Sequence, residues 1–259
     1  MKSAMIVIFV LLPLIALAEN YREIRNLELP AGGLQVLSVH CGPGELTLKG
    51  IEGAGSIQVR AEIETERIDK QEFQLLADKL IQLDLKREYN RALLTGNVVI
   101  PPLTNIDARI HLRIQVPANM NIRIIDGSGS IDIADIIGNL SIDDDSGAIK
   151  VENIKGRIRI EDGSGDIEIQ DVQGHLEIVD GSGEIVIEHV SGDVTINDAS
   201  GDIEVNHIGG SVTISDGSGS IDIYGVKKNV FIREAGSGGL DIDGVQGKVT
   251  IREGCRHKR

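Results

Sequence analysis

Tryptophan is absent from this 259-residue chain, and aromatic side chains make up 2% of it. A carbohydrate-stacking groove or an aromatic protein-binding hot spot is therefore poorly supplied. Positive charge is also scarce. Lys and Arg number 26 against 40 Asp and Glu, a formal net charge of −14, which argues against nucleic acid and anionic membrane surfaces as partners. The basic residues Arg256, His257, Lys258 and Arg259 are too few to reverse that balance. Cysteine is limited to Cys41 and Cys255. A pair in an exported chain suggests a disulfide, but the stacking argued below sends the two to opposite ends of a rod, beyond the ~7 Å Cα limit. Each is expected as a small buried hydrophobe or a free thiol.

Only one long apolar run exists. Lys2, the stretch Ile6 to Leu17 and the small-residue site Ala16-Leu17-Ala18 read as a secretory signal over residues 1–18. The run is short for a membrane span, no cysteine stands at the cleavage site, and no second apolar segment follows. The expectation is an exported protein, periplasmic or at the cell surface, with no membrane span once the signal is removed.

What the chain has in abundance is repetition. Six copies of an 18-residue unit open at Asp126, Asp144, Asp162, Asp180, Asp198 and Asp216, and a seventh, slipped by one residue, is read from Glu234. The third copy is DGSGDIEIQDVQGHLEIV. Positions 6 and 8 are apolar (Ile167 and Ile169 in that copy), positions 15 and 17 repeat the pattern nine residues later (Leu176 and Ile178), and position 11 adds Val172. Apolar residues two apart around a polar one describe a short strand with one dry face. A ninefold recurrence, unlike the sixfold one of a three-sided helix, favours a flattened two-sheet roll. One coil cannot bury its own face, so coils must stack in parallel. At ~4.8 Å each, seven make a rod on the order of 34 Å long. Glycine at position 4 in all six copies, and at position 13 in five, with Lys228 the exception, suits a bend of positive φ or close backbone approach. Asp at position 1 and Ser at position 3 suit Asx and ST turns, the carboxylates being partly screened by solvent, and the serines are expected to pair along the rod.

Residues 19–125 are less regular and read as a β-rich cap with opening coils, feeding without a linker into the repeats at 126–252; residues 253–259 are a basic tail. Strands are expected at Leu34 to Val39, Glu45 to Leu48, Ser56 to Ile63, Leu80 to Arg87, Val98 to Ile100 and Ile106 to Val116, and a helix between Asp69 and Lys79. Pro101, Pro102 and Pro117 mark turns or strand ends. The fold class expected is all-β: a parallel β-solenoid of 18-residue, two-strand coils with an irregular N-terminal cap.

No chemistry emerges from the motifs. The aspartate column invites calcium, and the unit resembles a calcium-binding nonapeptide, but the place of that repeat's ligand aspartate is taken by Ile131, Ile167 or Ile185. His189 and His207 share position 10 in successive coils, without a recurring third metal ligand. Serines lack a GxSxG elbow or a partner histidine, and the Gly-Ser-Gly strings lack the lysine of a phosphate loop. No catalytic, cofactor-binding or metal residue is assigned, and no cofactor is expected.

The Val-Pro-x-Asn segment at Val116 to Asn119 followed by SG-D/E-I/V-x-I/V elements, clearest at Ser164 to Ile169 and Ser200 to Val205, resembles the bacterial "putative adhesin" domain of unknown function. The resemblance implies a β-solenoid at or outside the cell envelope without established catalysis. The expected function is a non-enzymatic, adhesin-like surface or envelope protein whose partner is an unidentified envelope or extracellular protein or glycan. The alternatives are a β-helical enzyme acting on polysaccharide and a calcium-dependent assembly module. Any specific function is expected where the period breaks: at Lys227 and Lys228, around Gly236 to Gly239, or in the cap.

Overall fold

The computed structural model describes residues 21–66, 70–99 and 107–252. The signal reading, Pro101, Pro102, Cys255 and the basic tail lie outside the described residues. The N-terminal elements are β1 (Tyr21–Pro30), β2 (Val36–Cys41), β3 (Leu46–Ile51), β4 (Ser56–Glu66), α1 (Lys70–Leu80), β5 (Ile81–Glu88), β6 (Arg91–Val98) and β7 (Asp107–Pro117). β8 (Asn121–Asp126) and β9 (Ile131–Ile136) begin a regular alternation of strand pairs that ends at Val249–Ile251.

Two 11-stranded sheets face each other, as the ninefold apolar spacing predicts. One runs β1-β4-β7-β3-β9 and on through the first strand of each coil to Leu240–Asp243; the other runs β5-β6-β2-β8 and on through the second strands to Val249–Ile251. The repeats pair in parallel and in register, Ile149 against Ile131 and Ile167, Leu140 against Ile122 and Ile158. Apolar residues at positions 6, 8, 11, 15 and 17 fill the space between the sheets, nearly all with no more than a few per cent of their surface exposed. Each such burial stabilises by roughly 1.5–3 kcal/mol, a gain realised only when the neighbouring coil is present.

The N-terminal part is more thoroughly a solenoid than its sequence suggests. β2 and β3 form a coil wedged between β6–β7 and β8–β9, β2 pairing with both β6 and β8, and β3 with both β7 and β9, all in parallel. Chain order and spatial order therefore differ here: the Pro117 to Met120 connection passes over the bend at Gly50 and Ile51, where the Ala118 amide donates to the Ile51 carbonyl at 3.1 Å. The strand expected at Val98 to Ile100 instead occupies Arg91–Val98, and β1 has no counterpart among the expected strands. β1 is the edge of its sheet, antiparallel to β4, and none of its residues is fully buried, so its alternation is diluted by charge. Helix α1 closely matches its expected span; Phe73 is fully buried and its ring lies 4.9 Å from that of Tyr21.

The slip in the seventh copy also resolves differently. A β-bulge between Ile232 and Glu234 absorbs the extra residue, so Ser215 pairs with Glu234 and Asp216 with Ala235. Ala235, not Glu234, holds position 1, and Ala235-Gly236-Ser237-Gly238 then continues the turn in phase. The bulge sits in the ladder and keeps the turn in phase, although Gly238 lacks the positive φ of the six position-4 glycines before it. Deleting Arg233 should convert the bulge to a plain ladder and change unfolding stability by no more than about 1 kcal/mol; urea denaturation checks this.

Candidate functional site

Positions 1 to 4 form the first bend of each coil. Position 4 is the tightest point: Gly129, Gly147, Gly165, Gly183, Gly201 and Gly219 have φ between +127° and +152°, and a Cβ on any of them would lie within 2 Å of the carbonyl oxygen one coil back. This close stacking closes the turn over position 1, whose carboxylate oxygens Oδ2 have almost no accessible surface.

The six aspartates Asp126, Asp144, Asp162, Asp180, Asp198 and Asp216 are buried, with 1–7% of their surface exposed, not partly screened by solvent as their turn positions suggest. Their turn-capping role is present: Oδ1 accepts from the Ser amide two residues on in Asp162, Asp180, Asp198 and Asp216, at 2.9–3.3 Å, and from Gly127 in Asp126 at 2.9 Å. Oδ2 of all six is buried without a hydrogen-bond partner, and at Asp144 so is Oδ1. The position-3 serines do not pair with each other; Ser146 and Ser200 donate to backbone carbonyls of the preceding coil. An ionised carboxylate without partners is costly in such a place. Burial first, then the neighbouring carboxylate, pushes Asp126 and Asp162 up to about 7 and Asp180 to about 6; burial, opposed by its turn bonds, brings Asp216 to about 6. Asp144 and Asp198 are raised by burial as well.

Cys41 caps this column. It stands beside Ile125, with Sγ 3.8 Å from that carbonyl oxygen, in the place that position 1 occupies in later coils, so Cys41-Gly42-Pro43-Gly44-Glu45-Leu46-Thr47-Leu48 is a repeat with Cys for Asp. The alternation and the glycine spacing carried that signal, and the cysteine and proline hid it. Cys41 is a free thiol, in a coil and not in the cap. Burial, reinforced by Asp126 and Asp144, pushes its ionisation far up, so it is not an activated nucleophile. Alkylation of the Cys41 peptide, followed by mass spectrometry at pH 8, should be at least tenfold slower in the folded protein than in urea.

The opposite edge is set by position 10. Asp135, Asn153, Asp171, His189 and His207 all have φ of 55–63°, and Gly225 follows at 76°. They are skipped in the ladder pairing. Asp, Asn, His and Gly recur there because they tolerate the left-handed region, a signal the sequence contained. His189 and His207 do lie side by side, rings stacked at 5.0 Å, and Asp171 is 3.7 Å from His189 Nδ1. With 17° between their planes, the stacked rings hold their nitrogens in two separate, nearly parallel planes. Among the described residues no group of three His, Cys, Asp or Glu could hold a metal ion.

Position 14 has a structural role too. Asn121, Asn139, Asp193 and Asn229 each accept the backbone amide one coil on, at 2.8–3.0 Å. At the period breaks, Lys227 and Lys228 donate backbone amides to Ile208 and Gly210, continuing the stack.

The profile described as Toastrack DUF4097 matches residues 50–244, well over half of the chain. No curated protein matches it. Among solved structures, one described as a "putative lipid binding protein" from Parabacteroides distasonis is 14% identical, covers 92% of this chain and 97% of its own, and superposes with a TM-score of 0.48. A "putative adhesin" from Bacteroides fragilis is 10% identical over 89% of this chain and 97% of its own, with a TM-score of 0.33. Another from Parabacteroides merdae is 11% identical over 92% and 97%, with a TM-score of 0.32.

Proposed function

The chain belongs to the Toastrack DUF4097 family, and from that premise we propose that it is a non-enzymatic, exported, adhesin-like β-solenoid that presents a rigid acidic surface for binding or for envelope structure. One observation carries the reading. Every recurring position serves the stack, with apolar residues between the sheets, Gly at the close approach, Asp under the turn and a left-handed residue at the second bend. A unique reacting centre needs side chains that converge on one point, whereas a stack repeats its side chains along a line. Such a line suits extended, multivalent contact. The apolar run at 6–17 ahead of Ala18 supports export.

Two measurements on the same protein test this. Cell fractionation should recover it from periplasm, envelope or medium, shortened at the N-terminus. Incubation with a panel of neutral and acidic polysaccharides should release no shorter chains; release of new chain ends would overturn the non-enzymatic reading, and recovery of an uncleaved chain in the cytoplasm would overturn export.

A further inference from the structure

The outer face of β1, β4 and β7 carries an arrangement that stacking does not explain. In the antiparallel β4–β7 ladder Arg60 stands directly opposite Arg113, and both side chains are on the exposed face. Like charges directly opposite each other destabilise a sheet. Among the described residues Arg60 makes no hydrogen bond or ion pair. Arg113 reaches only Glu62, at 4.0 Å, and that carboxylate is already held by Arg22 at 2.8 Å. The two guanidiniums therefore sit side by side with unused donors, on a protein of net charge −14.

They line a concavity of 540 Å³ together with Asn26, Glu28, Gln58 and Gln115, within the ~300–1,000 Å³ typical of small-ligand sites. The register explains the convergence. Asn26 opposes Arg60 across β1–β4, Glu28 opposes Gln58, and Gln58 opposes Gln115 across β4–β7, giving two adjacent rows of polar side chains on one twisted face.

We propose that this concavity binds a saccharide bearing a carboxylate, such as a uronate unit of an acidic glycan. Guanidinium forks match a planar carboxylate in bidentate geometry. The three amides donate to and accept from sugar hydroxyls. Glu28 favours this ligand over a bare anion: its carboxylate, held at 2.7 Å by the Ser56 hydroxyl, disfavours any anion nearby, and only a ligand that also brings hydroxyls gives it hydrogen bonds to accept in return. Recognition by ionic forks and hydroxyl bonding needs no aromatic platform, which suits a chain with 2% aromatics. The inference rests on the binding-scaffold reading above and names a ligand class for it.

Calorimetric titration of the full exported chain with tri-galacturonate tests it, with uncharged galactotriose and inorganic phosphate as parallel titrants. Tri-galacturonate should bind, weakening with added salt, and neither other titrant should match it within about tenfold. Arg60→Ala and Arg113→Ala should each weaken binding by about tenfold or more with unchanged thermal unfolding, and Gln58→Ala by less. Absence of tri-galacturonate binding, binding insensitive to both arginine substitutions, or phosphate binding as tight as tri-galacturonate would each overturn the proposal. The scaffold reading fails on a different signal, the appearance of mono- and di-galacturonate in the titrated mixture.

Discussion

Thermal unfolding is expected at a temperature several degrees higher at pH 5 than at pH 8, the reverse of what a strongly acidic surface-paired protein would show below neutrality. The cause is the buried aspartate column. Asp126 and Asp162 ionise at about 7 and Asp180 and Asp216 at about 6 in the folded chain, against an ordinary value of 3.8. The folded state therefore binds more protons than the unfolded state between roughly pH 4 and 7, and stability falls as pH rises through that window. The acidic groups that bear on the column, its own members and Asp143, Asp145, Asp166 and Asp202 around the turns, all add to this rise, while the Cys41 thiol at its head and the turn amides oppose it without cancelling it. One ionised member costs on the order of 3 kcal/mol, with coupling between neighbours making the sum non-additive. Glu88 and Asp135, whose ionisation is lowered by Arg91 and Asn153 respectively, oppose this only in more acidic solution, so the stability optimum should lie near the acid end of that window, at roughly pH 4.

Asp162→Asn isolates the cause. The amide keeps an oxygen for the Ser164 amide, bonded at 3.3 Å in the native turn, and removes the charge. The variant should unfold several degrees higher than wild type at pH 8 and close to wild type at pH 5. Calorimetric scans of both proteins at the two pH values decide it. A wild type more stable at pH 8, with Asp162→Asn weaker at both, would mean that the carboxylates are ionised and held by partners.

Gly183→Ala, like Ala at any position-4 glycine, should be among the most damaging small substitutions in the repeat. A Cβ there would lie 1.9 Å from the Gly165 carbonyl oxygen and 2.5 Å from its carbon, at a φ of +144°. Neither backbone can yield, because each is hydrogen-bonded into its own coil; the Gly183 amide itself donates to Ser200 at 3.2 Å. A loss of about 4 kcal/mol or more follows, and since each coil is stabilised only by its neighbours, a break in mid-stack exposes two new ends. Gly127→Ala is the control. Nothing lies within 4 Å of its Cβ, and Ala199 already occupies the same repeat position, so the loss should stay below about 1 kcal/mol. Urea midpoints compare the two; equal losses would show that the coils do not approach closely at position 4.

Sequence alone determined the solenoid. Alternation at Ile167 and Ile169, and again at Leu176 and Ile178, assigns inward faces nine residues apart, and that spacing admits two sheets. The glycines marked the bend, and Phe73 and Leu76 marked the helix, because these are local properties of backbone and side chain. Tertiary structure decided which strands are neighbours. Nothing in residues 36–51 says that this coil enters between β6–β7 and β8–β9, since periodicity specifies the face of a strand and not its partner. It also decided that the column of aspartates is dry, because a turn residue is wet or buried according to how closely the next coil sits on it. The juxtaposition of Arg60 and Arg113, 53 residues apart in the chain, belongs to the same class: it exists only in the register of an antiparallel pair that no local pattern encodes.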